Sequence, residues 1–174
     1  LMPTFLDMHN HSIPSEVKGK SLLTYLDKDA ENKFTALYGY WGGGINITDG
    51  TYSYFHYPEN FSQQNPDRYQ YTLMPTHMRQ FFSNEELQTA TLHKPFDFTK
   101  DIPLLKINRI ERKTDGGYKG FEDTKSALYN LQNDPGQLTP LADKKKSNEY
   151  QQMMIDIINE YDPPKELIKN YFEN

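Results

Sequence analysis

Residues 38–58 read YGYWGGGINITDGTYSYFHYP, and the alternation within this stretch decides the local fold. Ile45, Ile47, Tyr52 and Tyr54 flank Asp49-Gly50 at every second position, the pattern of a β-hairpin with one buried face. Glycine at position 50 tolerates the positive φ that a tight type I′ turn demands. A two-residue loop sets Thr48 opposite Thr51, Ile47 opposite Tyr52 and Ile45 opposite Tyr54, so the four large side chains share a face. Gly42, Gly43 and Gly44 then oppose Tyr57, His56 and Phe55, and a glycine run in a strand marks a bulge or a close approach.

Working outward, Phe34–Tyr40 reads as a preceding strand, Tyr69–Leu73 and Ala127–Leu131 as further strands, and Thr99–Ile110 as an apolar segment. Ser83 with Glu86 three residues on is a capping box opening a short helix. Tyr150, Met153, Met154, Ile157, Ile158 and Tyr161 follow the i, i+3, i+4, i+7 spacing of one helix face, predicting a helix from about Ser147 to Tyr161 with Asp143 or Ser147 as its cap. Asp162-Pro163-Pro164 ends that helix and opens another, with Asp162 as the expected N-cap. These elements make an α+β chain: a small antiparallel sheet with the C-terminal helix packed on one face.

Composition sets bounds. The chain has 174 residues, enough for one domain or one domain plus part of another. Hydrophobic content is 36%, and 13 Tyr and 10 Phe supply much of the area a core needs. A net charge of −5 argues against a nucleic-acid or anionic-membrane partner. With no Cys there is no disulfide framework and no thiolate metal site. The compartment is left open, a cytoplasmic one being slightly favoured.

Three blocks together resemble one family. LYGYWGGGINITDGTYSYFHYP (residues 37–58) resembles the start of the C-terminal region of bacterial sulfatases of the alkaline-phosphatase-like superfamily. PTFLDMHNHSIPSEVKGKSLLTYL (residues 3–26) resembles the segment closing their catalytic domain, and LYNLQNDPGQ (residues 128–137) a strand and turn near their end. The resemblance implies that residues 1–27 are the tail of a catalytic domain and 28–174 its C-terminal subdomain, with Asp27–Lys33 as boundary. The opening residues Leu1–Met8, in mid-pattern for an amphipathic helix, fit an excised C-terminal piece of a longer enzyme. Such an enzyme hydrolyses sulfate esters with a formylglycine nucleophile and a divalent cation, usually calcium. Its partner for this chain is the N-terminal catalytic domain of the same polypeptide. A related phosphonate or phosphodiester hydrolase, or a stand-alone carbohydrate-binding module, remains an alternative.

The family makes its nucleophile from a C/S-x-P-x-R motif. Here the nearest stretch is Ser12-Ile13-Pro14-Ser15-Glu16, whose Glu16 replaces the anion-stabilising Arg, so Ser12 reads as loop rather than nucleophile. No catalytic residue, metal ligand or cofactor is assigned to this chain. Four residues are expected near substrate in the parent. His77 and Arg79, in LMPTHMR, resemble a stretch at the mouth of the active site, where an arginine suits an anionic sulfate. Trp41, beside side-chain-free backbone, offers a platform for a ring, with core packing as the competing account. His56 shares the hairpin face of Tyr52 and Tyr54. His93, before a Lys-Pro step, reads as loop.

Overall fold

The structure, a computed structural model, describes residues 1–26, 35–39, 44–57, 69–74, 76, 80–108 and 125–173. Its helices are α1 (Met2–Met8), α2 (Asn84–Gln88), α3 (Lys144–Asn159) and α4 (Lys165–Phe172). Its strands are β1 (Ala36–Gly39), β2 (Ile45–Thr48), β3 (Tyr52–His56), β4 (Tyr69–Thr72), β5 (Thr91–His93), β6 (Leu104–Asn108) and β7 (Ala127–Asn130). They form two antiparallel sheets, ordered β1-β2-β3-β7 and β4-β6-β5. The α+β expectation holds, but the strands divide between two sheets.

The central hairpin forms in a different register from the expected one. Thr48 pairs with Ser53, Ile47 with Tyr54 and Ile45 with His56. Side chains widen the turn: Asp49 Oδ1 accepts the Thr51 and Tyr52 amides, each at 2.8 Å. The Thr48 hydroxyl donates to the Tyr52 carbonyl at 2.7 Å and accepts the Gly50 amide at 3.1 Å. These Asx- and Thr-mediated bonds satisfy the loop in place of a two-residue turn. A slip of two residues keeps every side chain on its expected face, whereas a slip of one would reverse them all.

The core sits between that sheet and α3. Ile47, Tyr54 and Leu128 come from the sheet, Tyr150 and Met154 from the helix, and Leu37, Ile45, Tyr52, Met153, Ile157 and Phe172 pack around them. Helix α3 starts three residues before Ser147 because the Asp143 carboxylate accepts the Lys146 amide at 2.9 Å. The opposite face of the sheet carries aromatic side chains of its own. Tyr38 and Tyr129 meet Phe55 edge-on at 6.2 and 5.7 Å between ring centroids, and the Tyr38 hydroxyl lies 2.8 Å from that of the buried Ser53.

In the second sheet β6 is central, paired to β4 through Tyr71↔Lys106 and to β5 through His93↔Leu104. His93, expected in a loop, therefore ends a strand. The Ser83–Glu86 capping box forms as expected. Helix α4 begins later than expected, with Pro164 rather than Asp162 as N-cap. A residue before proline is pushed out of the helical region, so neither Asp162 nor Pro163 joins the helix. Asp162 adopts a left-handed φ of +48°.

The first 26 residues fold back on themselves. Pro3 is buried, 3.4 Å from where a Cβ on Gly19 would sit, and the Thr4 hydroxyl accepts the Leu22 amide at 3.0 Å. An ion pair of 2.5 Å from Glu16 to Lys100 ties this arm to the turn before β6. Asp27–Lys33 lies outside the described residues.

Candidate functional site

Of the four residues expected near substrate, Trp41, His77 and Arg79 lie outside the described residues. His56 is described, at the end of β3 on the core face. It is 7% exposed, and both ring nitrogens are engaged. Nε2 lies 2.5 Å from the Tyr171 carbonyl of α4, and Nδ1 lies 3.4 Å from the Tyr54 hydroxyl. A carbonyl only accepts, so Nε2 carries the proton and Nδ1 accepts from tyrosine, which fixes the neutral tautomer. The ring stacks on Phe172, with centroids 4.8 Å apart and planes 8° from parallel. Burial pulls the His56 pKa below the ordinary histidine value, against an upward contribution from the Tyr171 bond.

The other end of α4 meets the second sheet through charge. Glu166 Oε1 accepts the Tyr71 hydroxyl and lies 2.9 Å from Lys106 Nζ, with both charged side chains partly buried. The Lys106 ammonium also sits over the Tyr69 ring, 3.9 Å from its centroid. Tyr71 in turn meets His93 and Phe96 edge-on, at 4.9 and 5.1 Å. Sequence reasoning missed this cluster, although it left a signal: Lys106 interrupts the apolar run Leu104, Leu105, Ile107. A lysine inside such a strand needs a partner, and Glu166 supplies it from the first turn of α4.

The electrostatics fix charge states rather than poise them. Burial pushes the Tyr71 hydroxyl up, its bond to Glu166 adds to that, and the result is about 12. Burial alone would lower Lys106, but Glu166 and Tyr71 hold it above the ordinary lysine value. Burial alone would raise Glu166, but Tyr71 and Lys106 hold it below the ordinary carboxylate value. Acid–base catalysis needs groups that exchange protons near working pH, and nucleophilic lysines need a lowered pKa. This trio keeps a neutral tyrosine, a cationic lysine and an anionic glutamate, the states that hold a helix in place.

A second acidic hub sits at the hairpin turn. Asp49 Oδ2 accepts the Tyr150 hydroxyl at 2.7 Å while Oδ1 holds the turn amides, so one carboxylate joins the hairpin to α3. Burial pushes its pKa up, yet the Tyr52 amide, the Tyr150 hydroxyl and the Thr51 amide together hold it below the ordinary value. Ser12 is exposed in the turn after α1, and Glu16 is turned toward Lys100. No set of three or more His, Cys, Asp or Glu side chains suited to a metal ion occurs among the described residues. Compared with known proteins, the chain matches no family model and no curated sequence.

Proposed function

We propose that this chain is the C-terminal subdomain of a sulfatase-like hydrolase, bracing the catalytic domain and lining one side of its substrate cleft. On this reading the formylglycine, the divalent cation and the sulfate-binding groups belong to the catalytic domain. The chain by itself turns over no sulfate ester. Beyond the resemblance in residues 3–26, 37–58 and 128–137, one structural observation supports the reading. The arm of residues 1–26 presents apolar side chains to solvent: Phe5 is 57% exposed, Met8 59% and Leu26 74%, with Met2 and Leu22 also exposed. Met2, Phe5 and Met8 recur every three residues along α1, so they form one side of a helix whose only buried residue is Pro3. An apolar helix side of this kind is expected to be covered by another surface, and here that surface is the catalytic domain.

Two measurements test the proposal. The reading frame upstream of Leu1 is expected to encode a C/S-x-P-x-R motif within the same polypeptide. An unrelated domain there overturns the sulfatase reading. In parallel, the purified chain is assayed against an aryl sulfate beside a Ser12→Ala control. The expected result is no turnover by either, and activity lost on Ser12→Ala would place the chemistry in this chain after all.

A further inference from the structure

Helix α4 spans the two sheets through two different attachments. At its start, Glu166 is held by Lys106 and Tyr71 of the β4-β6-β5 sheet. At its end, the Tyr171 carbonyl and the Phe172 ring are held by His56 of the β1-β2-β3-β7 sheet. The helix has eight residues and no side-chain cap. Helices this short are unstable alone in water, so α4 exists because it is docked.

The His56 end depends on an uncharged ring. A proton on Nδ1 places a full charge in a site 7% exposed, and among the described residues no carboxylate pairs with it. The titratable and charged groups on the surrounding elements are Tyr52 and Tyr54 on β3 with Tyr57 after it, Tyr129 on β7 with Lys125 before it, and Asp49 at the far end of the hairpin. Lys144, Lys145, Lys146, Glu149, Tyr150, Asp156, Glu160 and Tyr161 lie on or beside α3, and Asp162, Lys165, Glu166, Lys169, Tyr171 and Glu173 on or beside α4. The Tyr171 carbonyl, which accepts more strongly from the charged ring, and the Phe172 face, through cation–π attraction, return part of the cost, but burial outweighs them. The Tyr54 hydroxyl, which donates to Nδ1 of the neutral ring, must turn to accept from the protonated one.

We propose that α4 is an acid-released clasp: protonation of His56 frees the Tyr171–Phe172 end of the helix from the four-stranded sheet and uncouples that sheet from its neighbour. Glu166 keeps its charge through the histidine range, so the helix opens about its Lys106 anchor and not all at once.

The test is an NMR titration of the intact chain from about pH 7.5 to about pH 5, the range in which histidine changes charge. Imidazole nitrogen shifts follow His56, and exchange protection corrected for intrinsic rates follows the amides of Lys169–Glu173. Those amides are expected to lose protection about tenfold per pH unit between the ordinary histidine value and the lower midpoint of the folded His56, and to level off below it. The Tyr54 and Leu128 amides keep theirs. His56→Gln retains an N–H donor for the Tyr171 carbonyl and cannot titrate, so its α4 protection stays flat across the range. The proposal is overturned if α4 protection stays flat as pH falls below the ordinary histidine value, if the sheet amides exchange in parallel, or if His56→Gln keeps the acid step. Should that variant not fold, the wild-type pH dependence of α4 protection decides alone.

Discussion

Replacing Asp49 by alanine removes three hydrogen bonds at once: the Thr51 and Tyr52 amides at 2.8 Å and the Tyr150 hydroxyl at 2.7 Å. Bonds to a charged acceptor contribute about 1.5–3 kcal/mol each, but the turn is half-exposed and water replaces part of what its amides lose. The Tyr150 hydroxyl is more enclosed, on a residue 5% exposed. The net cost of Asp49→Ala is therefore roughly 2–4 kcal/mol, which lowers the Tm by about 5–15 °C in a chain of this size. Tyr150→Phe, which removes only the third bond and leaves an acceptor unmet, costs about 1–2 kcal/mol. Chemical denaturation of wild type, both single variants and the double variant gives the coupling energy, expected at about 1 kcal/mol or more for groups in direct contact. Asp49→Asn separates the two functions, since an amide oxygen still accepts the turn amides while the charge is gone. The folded-state pKa of Asp49 lies below its ordinary value. Its stabilisation is thus present above the unfolded carboxyl value and lost as pH falls through the folded one. A coupling energy below about 0.3 kcal/mol would refute the claim that this carboxylate ties the hairpin to α3.

Other perturbations test other parts of the fold. Met154 is 0% exposed at the centre of the core, so Met154→Ala should cost about 2–5 kcal/mol in urea denaturation with the m-value unchanged, and Met153→Ala distinctly less. Gly39→Ala should destabilise more than Gly50→Ala: both have positive φ, but a Cβ on Gly39 meets the Gly44 carbonyl oxygen at 2.5 Å, whereas one on Gly50 meets nothing within 4 Å. The Tyr71 pKa, raised to about 12 from 10.0, makes its contribution complete below pH 10 and lost as pH climbs toward 12. Alkaline unfolding followed by circular dichroism should therefore move to higher pH in Tyr71→Phe relative to that variant's neutral-pH stability, and an unchanged profile would remove Tyr71 from the clasp.

The parts of the fold legible in the sequence are those fixed by neighbours along the chain. The hairpin faces, the Ser83–Glu86 box, the Asp143 cap and the stripe from Tyr150 to Ile157 all follow from spacing within a few residues. The hairpin register escaped because Asp49 and Thr48 supply side-chain bonds that a turn dipeptide alone does not reveal. The division into two sheets escaped because β4 finds its partner in β6 more than thirty residues away, and β5 is an edge of only three residues. The candidate site was legible only in outline. The face of His56 was correctly expected, but its partners Tyr171 and Phe172 lie more than a hundred residues downstream, and Glu166 reaches Lys106 across a gap of sixty.

Those long-range contacts give α4 a place in the energetics that its length conceals. The four-stranded sheet has α3 and a contiguous apolar core, and the loss of one small contact leaves most of its buried area intact. The three-stranded sheet is small, close to the lower limit of what persists on its own, so packing from outside itself matters more to it. Part of that packing comes from α4, which grips it through an ion pair and a tyrosine hydroxyl. Breaking such a partly buried pair by removing one partner costs more than the pair contributes when intact, because the charge left behind is stranded away from much of the solvent. Lys106→Met should therefore be tolerated better together with Glu166→Leu than alone, and an additive pair of losses would show that α4 does not couple the two sheets through this contact. The same argument orders the events on heating or acidification: α4 opens first, the three-stranded sheet follows, and the α3-packed sheet is last.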